Sequence, residues 1–97
     1  MTEIYLCEKP DQVKWVFGTE DDVYTKADLT SDPARFHQVG YVFSTWGMPV
    51  LSVEEIKTCL PNLKAVFYAA GTVQSFARPF LECGVKVFSA WGANAVP

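Results

Sequence analysis

The chain has 97 residues, 49% of them hydrophobic, 14% aromatic and 20% charged, which suits one packed domain over residues 1–97 and excludes a mainly disordered chain. The net charge of −3 argues against a nucleic-acid module, which would carry a basic face. No apolar run reaches the ~18 residues of a membrane span and the N-terminus has no signal region, so we expect a cytoplasmic protein without membrane contact.

The first third of the chain predicts two strands around one helix. Residues 4–7 are mostly β-formers and predict the first strand. A helix is favoured over residues 10–17, because Pro10 suits a first helical position and Gly18 suits a helix end. Residues 13–17 also alternate as a strand would, and that alternative stays open. A polar loop at 19–22 and a brief strand at 23–25 follow.

Two helices are predicted in the middle of the chain. Asp32 is expected to cap a short helix that starts at Pro33 and ends near residue 40. The clearest helix begins after Ser52, which forms a capping box with Glu55, and it ends before Pro61.

Three later stretches share the pattern V-F-x-x-x-G. They are residues 42–47, 66–71 and 87–92, offset by 24 and 21 residues. Each is an almost uncharged run of β-formers, as in a parallel sheet that is covered on both faces. The spacing leaves room for a strand, a helix and two short loops, so the pattern indicates repeated βα units.

The last predicted helix occupies residues 73–83, with an apolar face and Gly84 as its end. Pro79 indicates that this helix either begins late or is kinked. Strands and helices then alternate through five strands. This order predicts an α/β flavodoxin-like three-layer fold with a five-stranded parallel sheet and right-handed crossovers.

Cysteine and histidine usage offers little metal or redox chemistry. Cys7, Cys59 and Cys83 form no CxxC pair, and with His37 they match no zinc-site spacing, so no metal is expected. The cysteines are expected to act as small buried hydrophobic residues in a reducing compartment. A reactive thiol at Cys7, at the end of the first strand, is the alternative.

Ligands in open parallel sheets bind at the carboxyl ends of the strands. Here those ends carry small residues, hydroxyls and tryptophans and few charges. They therefore offer few of the His, Asp, Glu or Lys side chains that acid–base catalysis needs. The turn at Gly71, Thr72 and Val73 would instead offer backbone N–H groups to an anion, unless it is only a tight turn. Trp46 and Trp91 are either packing residues or ligand platforms.

Several other chemistries lack their motifs. The sequence has no phosphate-binding P-loop, no G-x-G-x-x-G and no G-x-S-x-G. A phospho-receiver site would need acidic residues after the first and third strands, where Cys7 and the pair Ser44 and Thr45 stand. His37 is expected at the wrong end of the sheet for catalysis, and Arg35 and Arg78 are expected on helices, paired with carboxylates or solvated.

Three segments carry a resemblance to a known family. They read YVFSTWGMP at 41–49, PNLKAVFYAAG at 61–71, and GVKVFSA at 84–90 followed by NAVP at 94–97. In this order and spacing the chain resembles the N-terminal part of the D-isomer-specific 2-hydroxyacid dehydrogenases. The resemblance covers the chain from about residue 40 onward.

The resemblance implies a substrate-binding domain. Backbone amides of Gly71, Thr72 and Val73 would hold the carboxylate of a small 2-hydroxy or 2-oxo acid. The loop of Ser44, Thr45 and Trp46 would line the pocket. NAD or NADP would be held by a Rossmann domain that this chain lacks, and the family's catalytic arginine, glutamate and histidine have no counterpart here.

The chain is therefore expected to bind no cofactor and to be inactive alone, as a truncated part of an oxidoreductase. Its C-terminal face, with Trp91, Ala93, Ala95 and Val96, is expected to be exposed and to promote self-association. The alternative is a stand-alone flavodoxin-like binding module without catalysis.

Overall fold

Five short strands form one parallel sheet in the computed structural model, which describes residues 2–69 and 74–89. The strands are β1 (Glu3–Leu6), β2 (Val23–Tyr24), β3 (Tyr41–Ser44), β4 (Ala65–Tyr68) and β5 (Lys86–Ser89). Their order is β2-β1-β3-β4-β5, and every neighbouring pair is parallel. This is the order of flavodoxin-like sheets, so the predicted fold class is confirmed.

Helices follow the strands in the predicted alternation. They are α1 (Pro10–Phe17), α2 (Lys26–Ser31), the single 3-10 turn η1 (Pro33–Phe36), α3 (Val53–Cys59) and α4 (Gln74–Glu82). The chain passes from β1 to β2 in one direction across the sheet and from β1 to β3, β4 and β5 in the other. Right-handed crossovers therefore place α1 on one face and the other helices on the opposite face.

The buried core lies between the sheet and α2, η1, α3 and α4. Alternate strand residues point into it, and each helix contributes at least one buried apolar side chain. Its main members are Ile4, Leu6, Leu29, Phe36, Val42, Ile56, Val66 and Phe80. The side chains between these strand positions, such as Tyr5 and Phe43, lie on the α1 face and are only partly buried. Among the described residues, no helix is long and apolar enough to span a membrane.

The segment 10–17 is a helix, so the alternating-strand interpretation was wrong. Pro10 occupies the first turn, and Gly18 ends the helix in the left-handed conformation with φ of 63°. Val13 is fully buried and Phe17 is partly buried, four residues apart on the side facing the sheet. One helical turn thus places both residues on the same face.

The region between β2 and β3 differs from the sequence prediction. Thr25 begins α2, a helix that was not predicted, through a capping box with Asp28. Asp32 makes no side-chain capping bond, so its predicted capping role was wrong, and its N–H donates to the carbonyl of Asp28 at the end of α2. The expected helix from Pro33 is only the 3-10 turn η1, which places Phe36 in the core.

The two later helices agree with the sequence. Ser52 caps α3, since its hydroxyl accepts from the N–H of Glu55 at 3.1 Å and its N–H donates to that carboxylate at 2.9 Å. Pro79 lies inside α4 rather than at its start. Gly84 follows with φ of 80°, a conformation that suits glycine and turns the chain toward β5.

We expect Glu55→Ala to lower the free energy of unfolding by about 1 kcal/mol at neutral pH, the usual effect of losing a helix cap. The Ser52 N–H bond, aided by the Lys26 ammonium, lowers the pKa of the Glu55 carboxyl. Because the folded pKa lies below the unfolded value, this stabilisation is present above the unfolded pKa of ~4.3 and is lost as pH falls through the folded pKa.

Urea unfolding of both proteins at several pH values between 7 and 3 measures this effect. Glu54→Ala is the matched control, since Glu54 is an exposed residue of the same first turn outside the capping box. The difference between wild type and Glu55→Ala should shrink at low pH. A difference that stays constant with pH, or one equal to that of the control, would show that the carboxylate does not cap α3.

Candidate functional site

The strand order changes direction between the neighbours β1 and β3, because β2 lies on one side of this pair and β4 and β5 lie on the other. In open parallel sheets, ligands bind at the carboxyl ends of the strands at such a point. At the carboxyl edge of the sheet, residues 7–9 follow β1, residues 45–48 follow β3 and Ala69 follows β4. The structure therefore brings the predicted residues Ser44, Thr45 and Trp46 to this edge.

The loop after β3 is fastened to the end of β1. The Glu8 N–H donates to the Gly47 carbonyl at 2.7 Å, and the Cys7 thiol donates to the Trp46 carbonyl at 3.1 Å. Within the loop, the Met48 N–H donates to the Thr45 carbonyl at 3.1 Å. These bonds fix the position of the loop after β3 relative to the end of β1.

Cys7 has a structural role in this arrangement. It is fully buried, and its sulfur also accepts the Lys9 N–H at 3.3 Å. Burial shields the sulfur from solvent, which argues against the alternative of a reactive thiol. Cys59 is also buried, and burial followed by the charge of Glu55 raises the pKa of its thiol, whereas Cys83 is half-buried.

Ser44 and Thr45 are buried, with 0% and 2% of their surface exposed, and their hydroxyls are directed at backbone atoms. The Thr45 hydroxyl donates to the Ala69 carbonyl at 3.1 Å, and the Ser44 hydroxyl donates to the Thr45 carbonyl at 3.4 Å. The Thr45 hydroxyl therefore links the end of β3 to the end of β4, whereas the Ser44 hydroxyl bonds within its own segment. Trp46 differs, since 62% of its surface is exposed.

The predicted carboxylate-binding turn at Gly71, Thr72 and Val73 lies outside the described residues. The helix that follows it, α4, begins at Gln74. Trp91 and the rest of the predicted C-terminal face also lie outside the described part of the chain.

Charged groups at the edge are mostly paired. The Glu8 carboxylate accepts the Lys26 N–H at 2.8 Å at the start of α2. The Lys26 ammonium lies 3.4 Å from the Glu55 carboxylate and donates to the Val50 carbonyl at 3.1 Å. Lys9 is exposed and forms no ion pair with any described residue. The sequence prediction did not single out Lys9, although its place directly after β1 was the available signal.

Gly47 explains why the repeated pattern ends in glycine at this loop. Its φ is 101°, and a Cβ atom there would lie 3.0 Å from the Cys7 sulfur and 3.0 Å from Cγ of Lys9. Only glycine leaves the space and the backbone freedom that this close approach requires.

The remaining candidates, His37 and Arg35, each have a described partner. His37 is exposed just after η1, and its Nε2 lies 3.0 Å from the Thr58 carbonyl oxygen. Arg35 donates to the Tyr24 hydroxyl at 3.0 Å and stacks over that ring, so its partner is an aromatic residue rather than a carboxylate. No group of three or more His, Cys, Asp or Glu within residues 2–69 and 74–89 could hold a metal ion.

Comparisons of the chain with models of known families, with curated proteins and with solved structures find no match.

Proposed function

We propose that this chain is the substrate-binding domain of an NAD(P)-dependent 2-hydroxyacid dehydrogenase. It would hold a small 2-hydroxy or 2-oxo acid by the carboxylate at the carboxyl edge of its sheet. The flavodoxin-like strand order carries the proposal, because it places the two central stretches of the resemblance side by side. Residues 41–49 contain β3 and its loop, and residues 61–69 contain the paired strand β4.

The chemistry of the edge suits an anion of this kind. The exposed Lys9 ammonium supplies a positive charge without a competing carboxylate among the described residues, and the exposed Trp46 indole supplies a flat wall. Backbone amides before α4 would complete the site, aided by a helix-end field of ~0.3–1 kcal/mol. The buried Ser44 and Thr45 would position the loop without touching the acid.

The sequence has no glycine-rich dinucleotide motif, so the residues present do not fit NAD or NADP, and a separate domain would have to supply the hydride chemistry. This chain would bind the 2-hydroxy or 2-oxo acid through its carboxylate. On its own it is expected to reduce neither glyoxylate nor pyruvate.

Binding can be measured by an NMR amide titration with D-lactate, and with 2-propanol as the matched alcohol that lacks the carboxylate. We expect affinity in the millimolar range or weaker, about −4 kcal/mol at best. Shifts should be confined to residues 7–9, 44–47 and 70–74 and should occur only with the acid. Equal responses to both compounds, or shifts elsewhere, would mean that the edge does not recognise carboxylates.

The Lys9 contribution has its own matched pair of variants. Lys9→Gln removes a charge worth about 1 kcal/mol to a carboxylate at 4 Å in water, or ~5-fold in affinity. Lys14→Gln makes the same change at an exposed position on α1 and should leave binding unchanged. Equal weakening in both variants would indicate general electrostatic attraction instead of a site at Lys9.

A stand-alone binding module remains the second candidate, favoured by a partly exposed row of aromatic residues on the α1 face. A chain that fails the lactate titration but associates through that face would fit this second function.

A further inference from the structure

A cavity of about 280 Å³ lies at the amino edge of the sheet, where β1 and β2 begin. Glu3 is the first residue of β1, and Asp21 and Asp22 directly precede β2. These three acidic residues line the cavity together with Tyr5, Tyr24 and Phe43. The cavity is therefore at the opposite edge of the sheet from the proposed carboxylate site, and its lining is mostly acidic and aromatic.

The C-terminal end of α1 adjoins this cavity. Phe17, the last residue of the helix, has its ring centroid 5.4 Å from that of Tyr5 and 6.2 Å from that of Phe43. Residues 18–22 then lead from the helix into β2. Every residue that lines the cavity belongs to the continuous described segment 2–69. The helix end and the cavity therefore form one stretch of surface.

The carboxylates at the cavity have no cationic partner within residues 2–69 and 74–89. Glu3, Asp21 and Asp22 are exposed, and none of their carboxylates forms an ion pair or a hydrogen bond with another described residue. They are not grouped closely enough to hold a metal ion. The carbonyl end of α1 adds partial negative charge. This arrangement favours an organic cation that reaches several oxygens at once, as a guanidinium group does.

The aromatic walls of the cavity suit the alkyl part of a basic side chain. Tyr5 and Phe43 are only partly buried. Long basic side chains pack their methylene stems on apolar surface while the charged head meets polar groups. The protein already contains a related contact, since Arg35 stacks over the Tyr24 ring at 5.1 Å and donates to the Tyr24 hydroxyl.

Two residues before the end of α1, the outer side of the helix carries a large exposed indole. Trp15 is 82% exposed, on the side of the helix opposite Val13 and Phe17, which face the sheet. Asp11 precedes Trp15 by four residues, so one helical turn places its exposed carboxylate beside the indole. An exposed tryptophan next to an acid favours stacking by a cation.

Negative charge dominates this part of the surface. Glu20 adds a further exposed carboxylate to those of Asp11 and of the cavity. The cations nearby on the described chain are Lys14, on the flank of α1, and Arg35, which is engaged with Tyr24. Neither forms an ion pair with these carboxylates. The surface therefore complements a basic partner and repels the phosphate groups of nucleic acids and anionic lipids.

We propose that this surface docks a basic, arginine-containing segment of a partner protein. We call it the amino-edge surface, formed by the outer side of α1, residues 18–22 and the cavity. One arginine of the segment enters the cavity, where its guanidinium meets the carboxylates of Glu3, Asp21 and Asp22. A second basic side chain of the same segment stacks on the indole of Trp15.

Arginine fits this surface better than lysine, because its planar guanidinium both stacks on aromatic rings and donates to more than one carboxylate. A protein segment fits better than a free small cation, because Trp15 lies outside the cavity and a small ligand would leave its indole exposed. The docking concerns the amino edge and does not depend on carboxylate binding at the carboxyl edge.

An NMR titration of the full chain with the peptide acetyl-Gly-Arg-Gly-Arg-Gly-amide tests the docking. We expect saturable binding with a dissociation constant of about 100 µM. Shifts should concentrate at residues 3–5 and 11–22 and should include the indole N–H of Trp15. The matched control is the same peptide with citrulline in place of arginine, which keeps the shape and loses the charge. It should bind at least ~10-fold more weakly.

Paired charge variants locate the acidic part of the surface. Asp21→Asn combined with Asp22→Asn should weaken peptide binding about 10-fold, because two carboxylates at the cavity lose their charge. Glu54→Gln combined with Glu82→Gln removes the same charge from exposed positions on α3 and α4 and should have little effect. Far-UV circular dichroism and thermal unfolding establish that each variant is folded.

The indole has its own test. Trp15→Ala should weaken peptide binding about 5-fold or more, as expected for the loss of a cation–π contact. Leu81→Ala is the matched control, since Leu81 is an exposed apolar residue on α4. Free argininamide carries a single guanidinium, so it should bind at least ~10-fold more weakly than the peptide and be insensitive to Trp15→Ala.

The proposal is overturned if the arginine peptide shows no saturable binding up to about 1 mM, or if the citrulline peptide binds equally well. Equal weakening in the two double charge variants would show general electrostatic attraction in place of a surface at the amino edge. Binding that tolerates Trp15→Ala, or argininamide that binds as tightly as the peptide, would exclude a docked segment. None of these outcomes bears on the lactate titration, which reports on the other edge.

Discussion

Phe36→Ala is expected to lower the free energy of unfolding by about 3–5 kcal/mol, a large part of the ~5–15 kcal/mol that stabilises a domain of this size. The ring is 1% exposed and belongs to the core cluster. It also packs edge-on against Tyr24 with ring centroids 5.2 Å apart. Removing it leaves a cavity and takes away the ring that packs against Tyr24 of the two-residue strand β2.

Urea unfolding with an unchanged m-value measures the loss. Phe36→Leu keeps most of the volume and should cost about 1–1.5 kcal/mol. Arg35→Ala is the neighbouring exposed control, where the stacking over the Tyr24 ring and the hydrogen bond to its hydroxyl are lost, about 1 kcal/mol. A loss below ~1 kcal/mol for Phe36→Ala would mean that η1 is not part of the core in solution.

The strands and most helices were predictable because their signals are local. The repeated V-F pattern marks three strands, and their register shows why: Val42, Val66 and Val87 point to the core side while the phenylalanines point to the α1 side. The capping box at Ser52 likewise uses residues three positions apart. Such patterns are written in consecutive residues and need no tertiary information.

The helix α2 was missed because its six residues contain only one buried apolar side chain, Leu29. A periodic apolar pattern cannot be recognised from one residue, and a helix this short depends on packing for its stability. The capping box of Thr25 and Asp28 was the available local signal.

For the site residues, the sequence could not predict the direction in which each side chain points. Sequence composition identified hydroxyls at the carboxyl edge, but it could not tell a hydroxyl that faces a ligand from one that bonds to the backbone. Side chains alternate between the two faces of a strand, so the burial of Ser44 was predictable. It lies two residues after the buried Val42 and therefore on the same face. The direction of the Thr45 hydroxyl depends on the position of Ala69, 24 residues away, and only the fold reveals it.

The sequence pattern could not show how many helices cover each face of the sheet. Uncharged strands predicted helices over both faces, whereas among the described elements only α1 packs on the second face. The number of helices on each face follows from the strand order, which is a property of long-range pairing.

Gly47→Ala is the second change with a large expected effect, about 2–5 kcal/mol. Two costs add at this position. A residue with a side chain in the left-handed region loses about 1–2 kcal/mol. A new Cβ at 3.0 Å from the buried Cys7 sulfur adds an overpacking cost of about 1–3 kcal/mol, because that sulfur is held by backbone partners on several sides.

Gly84→Ala separates these two costs. Gly84 also has a positive φ, of 80°, but a Cβ there would meet nothing within 4 Å. It should therefore lose only the backbone contribution of about 1–2 kcal/mol. The excess at Gly47 over Gly84, measured by urea unfolding, reports the crowding between the loop after β3 and the end of β1.

A double-mutant cycle with Cys7→Ala identifies the crowded atom. Removing the sulfur opens space beside residue 47, so Cys7→Ala combined with Gly47→Ala should cost less than the sum of the two single variants, by about 1–2 kcal/mol. Because the same loop carries Trp46, the double variant should also bring the amide shifts of residues 44–47 back toward those of Cys7→Ala alone. Strict additivity, with a Gly47→Ala loss no larger than that of Gly84→Ala, would show that the loop after β3 does not pack closely against the end of β1.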